Sequence, residues 1–209
     1  MPHKLSFPSR SILSFVLLFL LATISSGQTA VSDLLDAIAS ESVTLNKVSG
    51  NGNSTGSALT GVLVNNTDRS IAIKVNLRIP LFFVNNGPRQ NMFALQVYEK
   101  DGSYVTDGEN SFIELDPKGR LDVIFNALCA DFERDNPTSL DSFKLGFDVP
   151  AYKSVLAKIA KQYETHPDDN DLLEAAQAAL WMAQGVSITE IRKRFDVSDT
   201  QERLARSFF

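Results

Sequence analysis

The pattern of apolar and polar positions changes once along the chain. From about Val43 to Ala130, short runs rich in β-branched and aromatic residues alternate with turn sequences built on Asn, Asp, Gly and Pro. The clearest alternation places Ile71, Ile73 and Val75 on one face of a strand, with Leu77 and Ile79 continuing it. Regularly spaced short strands predict an antiparallel β-sandwich. The six predicted strands span residues 43–45, 58–64, 70–79, 92–98, 111–115 and 120–125.

From Val149 onward the apolar period becomes three and four, which predicts helices. A first helix carries Tyr152 through Tyr163 and is stopped by a His-Pro pair at 166–167, and a second runs from about 171 to 184. Capping-box sequences at 187–190 and 198–201 predict a third and a fourth. A short amphipathic helix at 32–38, with Ser32 as its cap, precedes the strands. The predicted fold class is α+β: an antiparallel β-sandwich over about 43–130, a joining loop at 137–150, and a C-terminal bundle of three to four helices over about 150–209.

Residues 1–27 have the organisation of a secretory signal peptide. Basic residues lie at the start, an apolar stretch covers 12–24, and small residues precede Gln28. The alternative is a membrane anchor, but a spanning helix needs about 20 apolar residues, and this stretch is shorter. We therefore expect residues 28–209 to form a single compact unit, secreted or retained in the cell envelope, extracellular or periplasmic, without membrane attachment after cleavage.

Composition narrows the function classes further. The 209 residues are 44% hydrophobic and 22% charged, with a net charge of −5, so a disordered chain is excluded and nucleic-acid binding is not expected. Residues 187–206 resemble a helix-turn-helix in spacing, with basic side chains at Arg192, Lys193, Arg194, Arg203 and Arg206. A DNA-binding module is kept as a remote alternative.

Familiar catalytic and metal-binding patterns are not found. Beyond the leader the one histidine is His166, and neither a G-x-S-x-G sequence nor a phosphate-binding glycine loop occurs. The cluster Asp168, Asp169, Asn170 and Asp171 lacks the spacing of a calcium loop and is interpreted as a helix cap. We expect no enzyme activity, no cofactor and no metal. Two acceptor sequons, at Asn53 and Asn65, lie in predicted turns that would be accessible.

The remaining candidates are Cys129 and Gln177. Cys129 is the single cysteine and closes the last predicted strand, so an intrachain disulfide is impossible. Gln177 shares a helix face with Leu173, Leu180 and Trp181, so its amide would point into the apolar interior and need partners. Cys129 has three interpretations: a buried core thiol, a partner of Gln177, or half of an intermolecular disulfide.

Two short motifs resemble the thioester domains of bacterial surface proteins. They are Leu128-Cys129, followed by Asp131, Pro137 and a Tyr-led helix, and the helical sequence Ala176-Gln177-Ala178-Ala179-Leu180-Trp181. In that family, Cys and Gln side chains condense into an internal thioester that attaches the protein covalently to a surface nucleophile. The resemblance implies Cys129 as acyl acceptor, Gln177 as acyl donor and Trp181 as shield. The favoured function is a secreted or cell-envelope binding module for an unidentified protein or surface ligand, and the alternative is a plain binding or structural domain.

Overall fold

The computed structural model describes residues 31–146, 150–166 and 169–209. The predicted signal peptide lies outside these ranges. Ten strands and five α-helices are found in the described residues, and four of the helices follow the last strand. The strands are β1 Val31–Ser32, β2 Val43–Gly50, β3 Thr55–Asn65, β4 Ile71–Lys74, β5 Asn76–Asn85, β6 Met92–Glu99, β7 Val105–Asp107, β8 Asn110–Leu115, β9 Arg120–Cys129 and β10 Phe143–Leu145.

The strands form two sheets. The smaller has the order β1-β4-β8-β7, and the larger has the order β10-β5-β6-β9-β3-β2. Every neighbouring pair is antiparallel except β1 with β4. The predicted α+β class, with strands first and helices last, is confirmed. The centre of the larger sheet is β6 and β9, and every residue of β6 except Glu99 is buried.

The helices are α1 Leu34–Ala39, α2 Lys153–Thr165, α3 Asn170–Ala183, α4 Ile188–Ile191 and α5 Asp199–Ser207. The ends of α2 and α3 and the start of α5 follow the predicted signals. His166 follows α2 as its C-cap, and Gly185, with φ of 87°, follows α3. Ser198 makes a complete capping box with Gln201 at the start of α5. Local sequence therefore sets where these helices begin and end.

Helix α3 lies at the centre of the helical part. Its residues from Ala175 through Trp181 are all buried, because it packs on β9 and β3 on one side and on α5, α2 and α4 elsewhere. Ala at four of these seven positions lets the neighbouring elements approach closely. Sheet and helix residues belong to one hydrophobic core cluster.

The prediction of a single strand over residues 70–79 is wrong. The run is divided into β4 and β5, which belong to different sheets. Val75 lies at the division: its N–H donates to Ser111 O at 2.9 Å, and its carbonyl accepts from Val97 N at 2.9 Å. The alternation also fails at its end, where Ile79 is 49% exposed. An alternating run specifies a half-buried strand but not the sheet that each part joins.

Two smaller expectations also fail. Ser32 belongs to β1 and does not cap α1, whose N-cap is Asp33 without a side-chain cap bond. Residues 143–145, predicted as part of a loop, form β10 against β5. Such short strands are stabilised by their sheet neighbours and carry no pattern of their own.

Candidate functional site

Strand β9, at the centre of the larger sheet, ends with main-chain groups that have no partner on a neighbouring strand. Ala130 N–H donates to Asn91 O at 2.8 Å, on the β6 side of the strand. Successive residues of a strand direct their N–H and C=O groups to opposite neighbours, so those of Cys129 point toward β3. Strand β3, however, begins at Thr55, which pairs with Leu128. Cys129 therefore needs hydrogen-bond partners from outside the sheet.

Gln177 of α3 supplies both partners. Cys129 N–H donates to Gln177 Oε1 at 2.7 Å, and Gln177 Nε2 donates to Cys129 O at 2.9 Å. The carboxamide thus occupies the place opposite Cys129 that a residue before Thr55 would take if β3 were longer. It extends the hydrogen bonding along β9 by one residue. Both residues are fully buried, so the two hydrogen bonds are protected from water.

The thiol of Cys129 makes a separate contact. Its Sγ lies 3.8 Å from Asn136 Oδ1, a weak hydrogen bond to an exposed residue of the following loop. Burial, and secondarily the negative charge of Asp131, raises the pKa of the thiol from 9.0 to about 12. At neutral pH the sulfur is therefore a thiol, with very little of the nucleophilic thiolate.

Trp181 lies one helical turn after Gln177 and is buried among aromatic rings. Its ring meets Phe132 at 5.2 Å and Phe195 at 5.5 Å between centroids, both edge to face. The guanidinium of Arg194 lies 4.9 Å above the outer face of Phe132. Because Phe132 follows Cys129 by three residues, this cluster covers the chain where it leaves β9.

Polar side chains that carry no sequence signal hold the same segment. Asp131 N–H donates to Gln90 Oε1 at 2.8 Å, and Gln184 Nε2 donates to Ala130 O at 2.7 Å. These amides come from the loop before β6 and from the end of α3. Sequence reasoning missed both, because a lone Gln in a loop or at a helix end has no recognisable spacing.

The two sequons differ in the structure. Asn53 is exposed, as expected for a turn. The expected accessibility of Asn65 is wrong: its side chain is buried, and its Nδ2 donates to three carbonyls, those of Arg69, Leu115 and Asp116, at 2.7, 3.2 and 2.9 Å. Asn65 fixes the turn between β3 and β4, which the sequon pattern cannot distinguish from an accessible acceptor.

The acidic cluster behaves as a helix start. Asp169 Oδ1 accepts from Leu172 N–H at 3.2 Å as the N-cap of α3, and Asp171 Oδ1 accepts from Gln201 Nε2 at 2.8 Å. Asp168 lies outside the described residues. Among the residues that are described, no group of three or more His, Cys, Asp or Glu side chains could hold a metal ion.

The basic side chains near the C-terminus pair within the protein. Arg192 contacts Asp199 and Glu202 at 2.7 and 3.1 Å, and Lys193 contacts Glu190 at 2.6 Å. Arg194 pairs with Glu133, and Arg206 pairs with Glu202. Arg203 donates instead to Thr200 Oγ1 at 3.0 Å, so four of the five basic side chains noted in the sequence have carboxylate partners. His166 is exposed and bonds through Nδ1 to the Thr165 hydroxyl at 2.8 Å.

Comparison with known proteins adds no relative. No protein-family model, no curated protein and no solved structure matches this chain. Within the described ranges, no helix is both long and apolar enough to cross a membrane.

Proposed function

We propose that this protein is an exported, non-catalytic binding module in which Cys129 and Gln177 condense to an internal thioester used for covalent attachment. The observation that supports the proposal is the contact between the Gln177 carboxamide and the main chain of Cys129, with both residues fully buried. The two residues are 48 positions apart, so the contact depends on the fold. The contact joins the two residues to which the resemblance to thioester domains assigns the thioester.

The condensation needs no further reagent. Sγ of Cys129 attacks Cδ of Gln177, the C–N bond breaks, and the thiol proton leaves with the amide nitrogen as one ammonia. Negative charge develops on Oε1 during the attack, where Cys129 N–H already donates at 2.7 Å. Exclusion of water would then preserve the bond. A surface amine or hydroxyl that attacks the thioester forms an amide or ester at Gln177 and returns the thiol to Cys129.

The raised pKa of the thiol sets the pH dependence of this step. With a pKa of about 12, the thiolate fraction rises tenfold for each pH unit across the neutral and mildly alkaline range. Formation of the thioester should accelerate accordingly. The step is slow at neutral pH because burial and Asp131 both disfavour the anion.

A second candidate is a plain binding or structural module in which Gln177 acts only through its hydrogen bonds. Two observations favour it: both polar groups of the carboxamide are satisfied by Cys129, and the thiol contacts Asn136. In that case Gln177 joins α3 to the end of β9, and Cys129 is a small core side chain.

Intact-mass measurement of the purified protein separates the two candidates. The proposal predicts a deficit of one ammonia relative to the sequence, in a chain that begins near Gln28 when recovered after export. Methylamine should remove the deficit and leave an N-methylamide at Gln177, located by peptide mapping. Cys129→Ala and Gln177→Met should abolish both results.

Gln184→Met is the matched control. Gln184 follows the last residue of α3 and donates to Ala130 O, next to Cys129, but it has no role in the thioester. It should keep the deficit. A full-mass protein that incorporates no methylamine, even after incubation at alkaline pH, would instead support the plain module.

A further inference from the structure

A row of hydrogen-bonded polar side chains crosses the larger sheet. Gln96 Nε2 donates to Asn76 Oδ1 at 2.8 Å, Asn126 Nδ2 donates to Gln96 Oε1 at 2.9 Å, and Ser57 Oγ donates to Asn126 Oδ1 at 3.4 Å. These four residues are register partners on the neighbouring strands β5, β6, β9 and β3. Pairing with one another offsets the cost of removing these polar groups from water.

Three members of the row, Ser57, Gln96 and Asn126, line a cavity of about 300 Å³. We call it the Tyr163 cavity. It lies between the sheet, the end of α2 and the start of α3. Its walls are aromatic as well as polar, and three of the four tyrosines of the chain line it. The lining residues used below are Ser57, Gln96, Tyr98, Tyr104, Asn126 and Tyr163.

The hydroxyl of Tyr163, a residue that lines this cavity, is an unsatisfied polar group. The residue is only 2% exposed, and its hydroxyl has no hydrogen-bond partner among the described residues. Tyr98 and Asp169, which also line the cavity, act on its pKa, which burial raises well above its usual range. A buried hydroxyl without a partner destabilises the fold, and a bound polar molecule would supply the missing partner.

The charge of the lining selects a neutral ligand. Among the described lining residues, Asp169 is the one charged side chain, and it already accepts from Leu172 N–H as a helix cap. No Lys or Arg of the described chain lines the cavity, so phosphate or carboxylate groups lack a counter-charge. Amides and hydroxyls, which both donate and accept, match the hydroxyl groups of a neutral molecule.

The tyrosine rings add an apolar surface. The rings of Tyr98 and Tyr104 lie 5.7 Å apart at 56° to each other, and Tyr104 is 37% exposed at the mouth. A flat ring beside fixed polar groups suits a molecule that is apolar on one face and hydroxylated at its edge. Sugar rings have this shape, with C–H groups on the face and hydroxyls around the rim.

From this combination we propose that the Tyr163 cavity is a binding site for a neutral saccharide. The row of Ser57, Asn126 and Gln96 hydrogen-bonds the hydroxyls, the Tyr163 hydroxyl makes one further bond, and Tyr104 stacks on the sugar face. The volume of the cavity accommodates one or two sugar rings. This proposal does not depend on a thioester, because none of its residues is Cys129 or Gln177.

The test measures binding of maltose, cellobiose and N,N′-diacetylchitobiose by saturation-transfer NMR and calorimetry. The protein carries Cys129→Ala, so any thioester chemistry is absent and the outcome is independent of it. At least one of the three sugars should bind. Tyr163→Phe, which removes one hydroxyl, should weaken binding about five- to tenfold, and Tyr104→Ala should weaken it at least as much.

Tyr152→Phe is the matched control, because this tyrosine packs on Phe93, away from the cavity. It should leave the dissociation constant unchanged. Thermal unfolding of each variant establishes that it is folded. The proposal is overturned if none of the sugars binds at millimolar concentration, if binding survives unchanged in both cavity variants, or if choline binds in their place, which would indicate an aromatic cage for a cation.

Discussion

At the scale of single residues, Cys129 is held by two unrelated interactions. Its main chain belongs to the sheet and is paired by Gln177, whereas its thiol contacts Asn136 in the next loop. Complete burial makes the thiol a weak acid, with its pKa raised from 9.0 to about 12. The side chain is therefore protected from alkylation and oxidation in the folded state, because both reactions need an accessible thiolate.

This raised pKa predicts a loss of stability at alkaline pH. The unfolded chain releases the thiol proton above pH 9, but the folded protein keeps it until about pH 12, so the free energy of unfolding falls between these values. The comparison uses wild-type protein in which Gln177 is still an amide. Between neutral pH and about pH 10, its free energy of unfolding should fall by about 1 kcal/mol more than that of Cys129→Ala. Urea unfolding at both pH values measures the difference. Tyr163 titrates in both proteins, so its contribution cancels, and equal losses would contradict the assigned burial.

At the scale of elements, the connection between α3 and β9 explains why a polar residue lies in the middle of a buried helix. The Gln177 amide satisfies two main-chain groups of Cys129 that have no strand partner because β3 begins only at Thr55, opposite Leu128. The row of Asn76, Gln96, Asn126 and Ser57 has a similar origin, since register brings one polar residue from each of four strands to the same line.

Gln177→Met tests this connection, because it keeps the volume of the side chain and removes the amide. Two buried main-chain groups lose their partners, so the free energy of unfolding should fall by about 2–4 kcal/mol. Urea unfolding gives the value. Gln162→Met on α2 is the control and should stay within about 0.5 kcal/mol of the wild type. Cys129→Ala retains the amide and cannot form a thioester, so a loss confined to Gln177→Met is due to the hydrogen bonds.

At the scale of the whole molecule, one core joins the sheets to the helices, but protection from solvent varies strongly along the chain. Strand β6 is buried on both faces, and α3 is buried on every side from Ala175 to Trp181. Strand β7, by contrast, is exposed at each of its three residues and lies at the edge of the smaller sheet. Edge strands of this kind open without disturbing the core.

Hydrogen exchange should therefore separate these regions. Amides of β6, β9 and α3 should exchange only by global unfolding, whereas those of β7 should exchange by local opening and orders of magnitude faster. Mass spectrometry of peptic fragments measures both rates in one experiment. Comparable protection of β7 and β6 would show that the smaller sheet is as firmly packed as the larger one.

The sequence by itself determined the fold class, several ends of the C-terminal helices and the choice of Cys129 and Gln177 as candidates. These follow from local patterns, namely alternation, helical period, capping residues and the face on which an amide lies. Only the tertiary structure decided that β4 and β5 separate at Val75, that Asn65 is buried, that the Gln177 amide meets the main chain of Cys129, and that polar residues of three strands line one cavity. The physical reason is that strand order, register and the position where each strand ends depend on contacts between distant residues, which no local pattern encodes.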